Sequence, residues 1–211
     1  MPVIAVDGPA ASGKGTIAKA LARHFGLPHL DTGALYRAVA LAALRAGTPL
    51  DDAAALGRHA AALDLSLIED PALRDVATSA AASRISAFPE VRSRLLAFQQ
   101  AFAGQPGGAV LDGRDIGTVI APHADAKLFV TARPEVRARR RYLEYLAAGR
   151  DIAEADVAAD ISRRDAQDSG RATAPLVRAD DADLLDSSDL DIAAAVQTAI
   201  DLVSRRLDRT S

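Results

Sequence analysis

Cysteine and tryptophan are absent from this chain, and lysine is reduced to residues 14, 19 and 127. Without cysteine there is no disulfide and no thiolate chemistry, a composition that suits a reducing compartment. Aromatic residues make up 4% of the chain, too few for the stacking platforms of single-strand nucleic-acid binders. A net charge of −3 gives no global attraction to DNA, RNA or an anionic membrane. No apolar run approaches the ~20 residues that span a bilayer. Met1-Pro2 leads straight into a core strand, not into a basic, apolar, cleavable leader. The expectation is a soluble, cytoplasmic monomer without nucleic-acid or membrane partners. At 211 residues and 49% apolar content it can bury one substantial core, with a small lobe appended.

What is present gathers first around Gly8-Pro9-Ala10-Ala11-Ser12-Gly13-Lys14-Gly15-Thr16. A short apolar run at 3–6 precedes it, and Ile17, Ala18, Leu21, Ala22 and Phe25 follow at helical spacing. Strand, glycine loop, lysine and helix together make a phosphate cradle, whereas the bare spacing would be only a turn. Glycines let successive N–H groups point inward as an anion nest. The helix adds its N-terminal partial charge, and Lys14 supplies a point charge for the outer phosphates. Gly15 stands where a metal-ligating hydroxyl usually follows the lysine, and Thr16 comes one later. Mg²⁺ is therefore expected to rest on substrate phosphates, water and a carboxylate elsewhere. The Gly-Lys-Gly-Thr ending is similar to nucleoside monophosphate kinases rather than to GTPase switches.

Further along, Asp31-Thr32-Gly33 reads as the first turn of a helix reaching Gly47, with Arg37 one turn in. By itself this is equally a capped helix with a surface arginine. Residues 51–106 are alanine-rich and mostly helical, with Leu63, Leu65 and Leu67 alternating as in a short strand. Helices over 73–85 and 91–102 carry Ser83, Arg92 and Gln99. A buried-strand run at 109–111 ends in Asp112-Gly113-Arg114-Asp115, and Asp112 is placed to order magnesium through water. A strand at 127–131 leads into a helix with Arg133, Arg137, Arg139, Arg140 and Arg141. Residues 149–178 are dense in charge, as a solvated face would be, and 149–171 reads as lacking an apolar stripe, which predicts a mobile closing segment. A strand at 182–186 and a helix capped by Ser188 complete the chain.

Strands alternating with helices behind a phosphate loop predict a P-loop NTPase-like α/β fold, a parallel sheet flanked by helices. Core segments are expected at 1–34, 105–148 and 172–211, a mostly helical monophosphate-binding lobe at 35–104 and a short lid at 149–171. An arginine-rich lid would neutralise charge between two anions and exclude water.

Taken together, the sequence resembles the bacterial-type cytidylate kinases. The resemblance is carried by Asp7-Gly8-Pro9 with Gly13-Lys14-Gly15-Thr16, Asp31-Thr32-Gly33-Ala34 with Tyr36-Arg37, and Ala87-Phe88-Pro89 with Val91-Arg92. Asp112-Gly113-Arg114-Asp115 with Gly117-Thr118, Arg164-Asp165 with Asp168 and Arg171, and Ala174-Pro175-Leu176 extend it over almost the whole chain. It implies an ATP:(d)CMP phosphotransferase using Mg²⁺, with ATP in the 8–16 loop and CMP or dCMP in the inserted lobe. By position, Arg37, Arg114 and Arg171 would hold the acceptor phosphate. Thr32, Arg92 and Asp115 would read cytosine, and Ser83, Arg164 and Asp168 would approach the sugar. Arg137, Arg140 and Arg141 would close over the ATP phosphates. Lys14, Arg114 and Arg171 would carry catalysis.

Three departures stand out: Thr32 for a common serine, Gln100 for a common arginine, and a stretch at 67–73 too short for the family's β-hairpin. The rival readings are a P-loop kinase for UMP or a metabolite hydroxyl, a nucleotide-dependent switch with negligible turnover, and an RNA-binding module using the 133–141 arginines.

Overall fold

Ile4, Ala5 and Val6 are fully buried, so β1 (Val3–Asp7) shows no solvent-facing alternation and lies at the centre of a sheet covered on both faces. The computed structural model describes residues 1–210. Five parallel strands are ordered β2-β3-β1-β4-β5, with β2 at His29–Asp31, β3 at Ala109–Gly113, β4 at Ala126–Thr131 and β5 at Asp183–Asp186. Register pairs Val3 with Ala109 and Asp7 with Gly113 on one side of β1, and Ile4 with Ala126 and Asp7 with Phe129 on the other. Side chains two apart share a sheet face. Ile4 and Val6 accordingly join Val110, Leu128, Val130 and Leu185 in one cluster with Ile17, Leu21, Ala199 and Val203. Those four belong to α1 (Lys14–Phe25) and α8 (Ile192–Thr210), which cover that face.

The chain forms two units, residues 1–30 with 105 onward, and residues 31–104. The second is helical: α2 (Thr32–Arg45), α3 (Ala53–Ala61), α4 (Val76–Ile85) and α5 (Pro89–Ala103). Asp31 and Asp52 cap α2 and α3, accepting from Ala34 N at 3.0 Å and Ala55 N at 2.9 Å. The strand expected around Leu63, Leu65 and Leu67 is not formed. Residues Leu65–Glu69 and Pro71–Arg74 are 3₁₀ turns instead. Asp64 and Asp70 each accept a backbone N–H two residues on, which closes a turn where a strand would have to stay extended. Leu63, Leu67 and Ile68 then pack on Ala34, Ala38 and Leu73.

In the first unit, β3 runs into a single wide turn at Ile116–Ile120, with Ala121 N bonded to Ile116 O at 2.7 Å. Beyond β4 come α6 (Pro134–Ala147) and α7 (Glu154–Ser169), packed on one another. Two sequence expectations change here. The charge-dense segment does carry an apolar stripe, because Val157 and Ile161, four residues apart, are both buried. The last helix is capped by Asp191, which accepts from Ala194 N at 2.7 Å, while Ser188 bonds Asp186 and the Arg133 N–H. Among the described residues no helix is long and apolar enough to cross a membrane.

Candidate active site

The phosphate loop begins where β1 stops at Asp7 and ends where α1 starts at Lys14. Gly8 admits no side chain, since a Cβ there would lie 2.0 Å from the Val130 carbonyl oxygen of β4. Gly13 adopts φ +88 as the residue before α1, and Ala11 sits in the left-handed region at φ 57. A loop that turns its N–H groups inward turns its carbonyls outward, and those need donors. The Ala10 carbonyl accepts from Arg137 Nη1 at 3.3 Å, and the Ser12 carbonyl from Ser187 Oγ at 3.0 Å. Pro9 and Ala10 are buried behind the loop, Thr16 is exposed at the start of α1, and the Ser12 hydroxyl is buried with no hydrogen-bond partner.

Asp112 comes to this loop from β3. A Cβ on Gly15 would lie 3.7 Å from Asp112 Oδ2, so glycine leaves room for a carboxylate and what it orders. His29 Nε2 lies 2.7 Å from the other oxygen, Oδ1. No group of three or more acidic or histidine side chains among the described residues could cage a metal. One buried carboxylate facing the loop matches the coordination Mg²⁺ takes beside nucleotide phosphates, where few ligands come from protein.

Asp7 is the last residue of β1, directly before Gly8 of the loop. Its two oxygens accept from Ile116 N and Gly117 N, each at 2.8 Å, which fixes the turn that follows Arg114 and Asp115. Burial pushes its carboxyl up to about 6, against the pull of those two donors, with Asp115 adding to the rise and Lys14 opposing it.

Arg114 donates from Nε to Asp168 Oδ2 at 2.7 Å, and Arg171 donates to Asp168 Oδ1. One buried carboxylate on α7 thus holds two arginines side by side. Asp115 is buried at the start of the wide turn. Arg164 lies 2.9 Å from Asp160 with its N–H aimed elsewhere, and burial pulls its pKa below the usual value. Of the three arginines expected over ATP, Arg137 is buried, and Arg140 donates to the Ser187 hydroxyl at 2.9 Å and carbonyl at 2.6 Å. Arg141 pairs with Glu144 at 3.0 Å and lies over the Tyr145 ring.

In the second unit, Thr32 is buried as the first residue of α2. Arg37 reaches back to Asp31 Oδ2 at 2.7 Å, its Nη1 close over Gly33, and its Nε has no partner. Arg92 on α5 donates to the Ser86 carbonyl at 3.4 Å and lies 5.9 Å from the centroid of the Tyr36 ring. Ser83 is half-buried on α4, and its carbonyl accepts from the Ser86 hydroxyl at 2.8 Å.

Sequence reasoning gave no role to Asp7, His29, Asp165 or Ser187. Asp7 had a local signal, an acid closing an apolar strand before a glycine. The other three act on residues 28 to 175 positions away, which leaves no mark in local spacing.

Residues 4–205 match the profile of the cytidylate kinase family. A curated cytidylate kinase of Rhodopseudomonas palustris is 56% identical over 201 residues, 95% of each chain. One from Xanthobacter autotrophicus is 57% identical over 204 residues, covering 97% of this chain and 98% of that one. Among solved structures, a gluconokinase from Sinorhizobium meliloti superposes with a TM-score of 0.56, covering 99% and 95% of the two chains at 16% identity. That last likeness concerns the fold.

Proposed function

This chain belongs to the cytidylate kinase family, and from that premise we infer its reaction. It transfers the γ-phosphoryl group of ATP to CMP or dCMP, giving ADP and CDP or dCDP. The observation that carries the reading is an intact phosphate loop between β1 and α1 in a chain that matches the family nearly from end to end.

In this reading ATP lies in the 8–16 loop, its phosphates on inward N–H groups and Lys14. Mg²⁺, when bound with ATP, neutralises phosphate charge, and Asp112 would hold it through water. The acceptor phosphate is already an anion near neutral pH, so no protein base is needed. What remains is to bring two anions into line and stabilise the migrating group, the work of Lys14, Arg114 and Arg171. Arg37, already braced by Asp31, joins Arg114 and Arg171 on the acceptor phosphate. Arg92, Asp115 and Thr32 read the cytosine edge; Ser83, Arg164 and Asp168 meet the sugar. Arg141 and Arg140 are retained on the ATP side. The enzyme acts as a monomer in the cytoplasm, where its nucleotide substrates are.

The test is an acceptor screen: ATP with CMP, dCMP, UMP, AMP or GMP, scored by ADP release. CMP and dCMP should turn over fastest. Equal or faster turnover of UMP would overturn the assignment of acceptor.

A further inference from the structure

The resemblance puts Arg137 over the ATP phosphates, but its guanidinium is already engaged on three sides. Nε donates to the Ala132 carbonyl at 2.8 Å, just before its own helix. Nη1 reaches the Ala10 carbonyl of the phosphate loop at 3.3 Å and Asp165 Oδ1 at 3.0 Å, and Nη2 reaches Asp165 Oδ2 at 2.6 Å. The residue is 4% exposed. A planar fork satisfied by a carboxylate and two carbonyls has little left to offer a ligand.

We propose that Arg137 is a positioning residue that ties the phosphate loop to α7, so that ATP in the loop and the acceptor-binding side chains of α7 are set together. The proposal rests on the kinase reading, which gives Arg164, Asp168 and Arg171 to the acceptor. Asp165 is the neighbour of Arg164 and lies three residues, about one turn, before Asp168. Asp168 in turn takes Arg114 and Arg171. A displacement of the loop at Ala10 therefore passes through one buried fork to the helix that holds both arginines. Breaking the fork would leave a buried charge uncompensated, so the two elements move as one.

A second clamp on the same loop supplies an internal control. Ser187 Oγ bonds the Ser12 carbonyl and is held by Arg140 of α6, so these contacts join the loop to the end of β5 and to α6, and no side chain of α7 takes part in them. Losing it disturbs the loop alone; losing the Arg137–Asp165 fork disconnects the loop from α7.

The experiment is calorimetric titration of CMP, with and without a non-hydrolysable β,γ-imido ATP analogue, on wild type, Asp165→Asn, Arg137→Lys and Ser187→Ala. Thermal melts identify the variants that fold. In wild type the analogue should tighten CMP by about fivefold or more. In Asp165→Asn the factor should fall below about twofold, and Arg137→Lys, whose single ammonium cannot span both partners, should behave alike. Ser187→Ala should weaken the analogue yet keep the wild-type factor. A merely structural role would lower stability without erasing the coupling. Absence of coupling in wild type, or its persistence in the fork variants that fold, overturns the proposal. The kinase reading stands or falls separately on the acceptor screen: wild type that turns over CMP without coupling refutes the clamp alone.

Discussion

Asp7 accepts two backbone N–H groups at the end of β1, and burial still pushes its carboxyl up to about 6 from an ordinary 3.8. The native state therefore keeps a proton that the unfolded chain gives up between about pH 4 and 6. Its contribution to stability is fully present below the unfolded value and is lost as pH rises through about 6. The shift corresponds to about 3 kcal/mol. Asp7→Asn is neutral at every pH and has nothing to lose. Measured by urea unfolding, its stability relative to wild type should improve between pH 4 and 7 by up to about 3 kcal/mol. A gap that stays constant across that range contradicts the account. Exposed carboxylates with lowered values, such as Asp181 and Asp189, act in the opposite sense but are common to both proteins.

Lys14 is proposed to act on the transition state, with the migrating charge passing beside its ammonium. Lys14→Met should cut kcat by about 10²–10³, and a loss within about threefold would remove it from that role. Asp115 is proposed to accept from the cytosine amino group, where uracil offers a carbonyl. Asp115→Asn should narrow the CMP-over-UMP ratio of kcat/KM by about tenfold or more, because a mismatched polar site discriminates by roughly 1–3 kcal/mol per group. Equal loss on both substrates would make Asp115 a structural residue.

At the scale of elements, α7 shows how a few apolar residues organise a charged segment. Val157 and Ile161 anchor its buried face, and Ala153, with its backbone extended, precedes its first turn. Ile161→Ala removes one of only two large anchors and should destabilise the protein by about 2–5 kcal/mol, with hydrogen exchange rising first over 154–169. Exchange that rises uniformly along the chain would show that α7 has no separate stability. β1, β3, β4, β5 and α1 were legible in the sequence because parallel strands leave short apolar runs, whereas the three-residue β2 was not read as a strand. The stripe on α7 was not legible either, since two large apolar residues in sixteen hardly stand out among so many charges. Leucines at 63, 65 and 67 mimic a strand, and only the aspartates at 64 and 70 hint at turns. Ser188 and Asp191 are both good capping residues, so spacing alone could not choose between them.

For the whole molecule, 22 of the 25 basic residues are arginine, and many meet acids at the surface, as in Arg133 with Asp189 and Arg139 with Glu154. Such exposed pairs contribute about 0–1 kcal/mol each and are screened by salt. Raising NaCl to about 0.5 M should therefore move Tm by only a few degrees while raising KM for CMP several-fold, because the proposed acceptor arginines, though braced by Asp31 and Asp168, would have to attract a phosphate from solution through screened charge. A large fall in Tm with KM unchanged would reverse that division. The candidate site was legible where its residues are neighbours in sequence, as in 8–16 and 112–115. It was not legible where buried bonds join distant segments, as Arg137 does with Ala10 and Ser187 with Ser12. Those long connections also set an order of events during synthesis. The phosphate loop leaves the ribosome well ahead of its clamp, because the hydroxyl that holds its Ser12 carbonyl lies 175 residues later. At about 5–20 residues per second the loop waits roughly 10–35 s for that partner. A nascent chain arrested near its middle would display the whole glycine motif and retain no nucleotide.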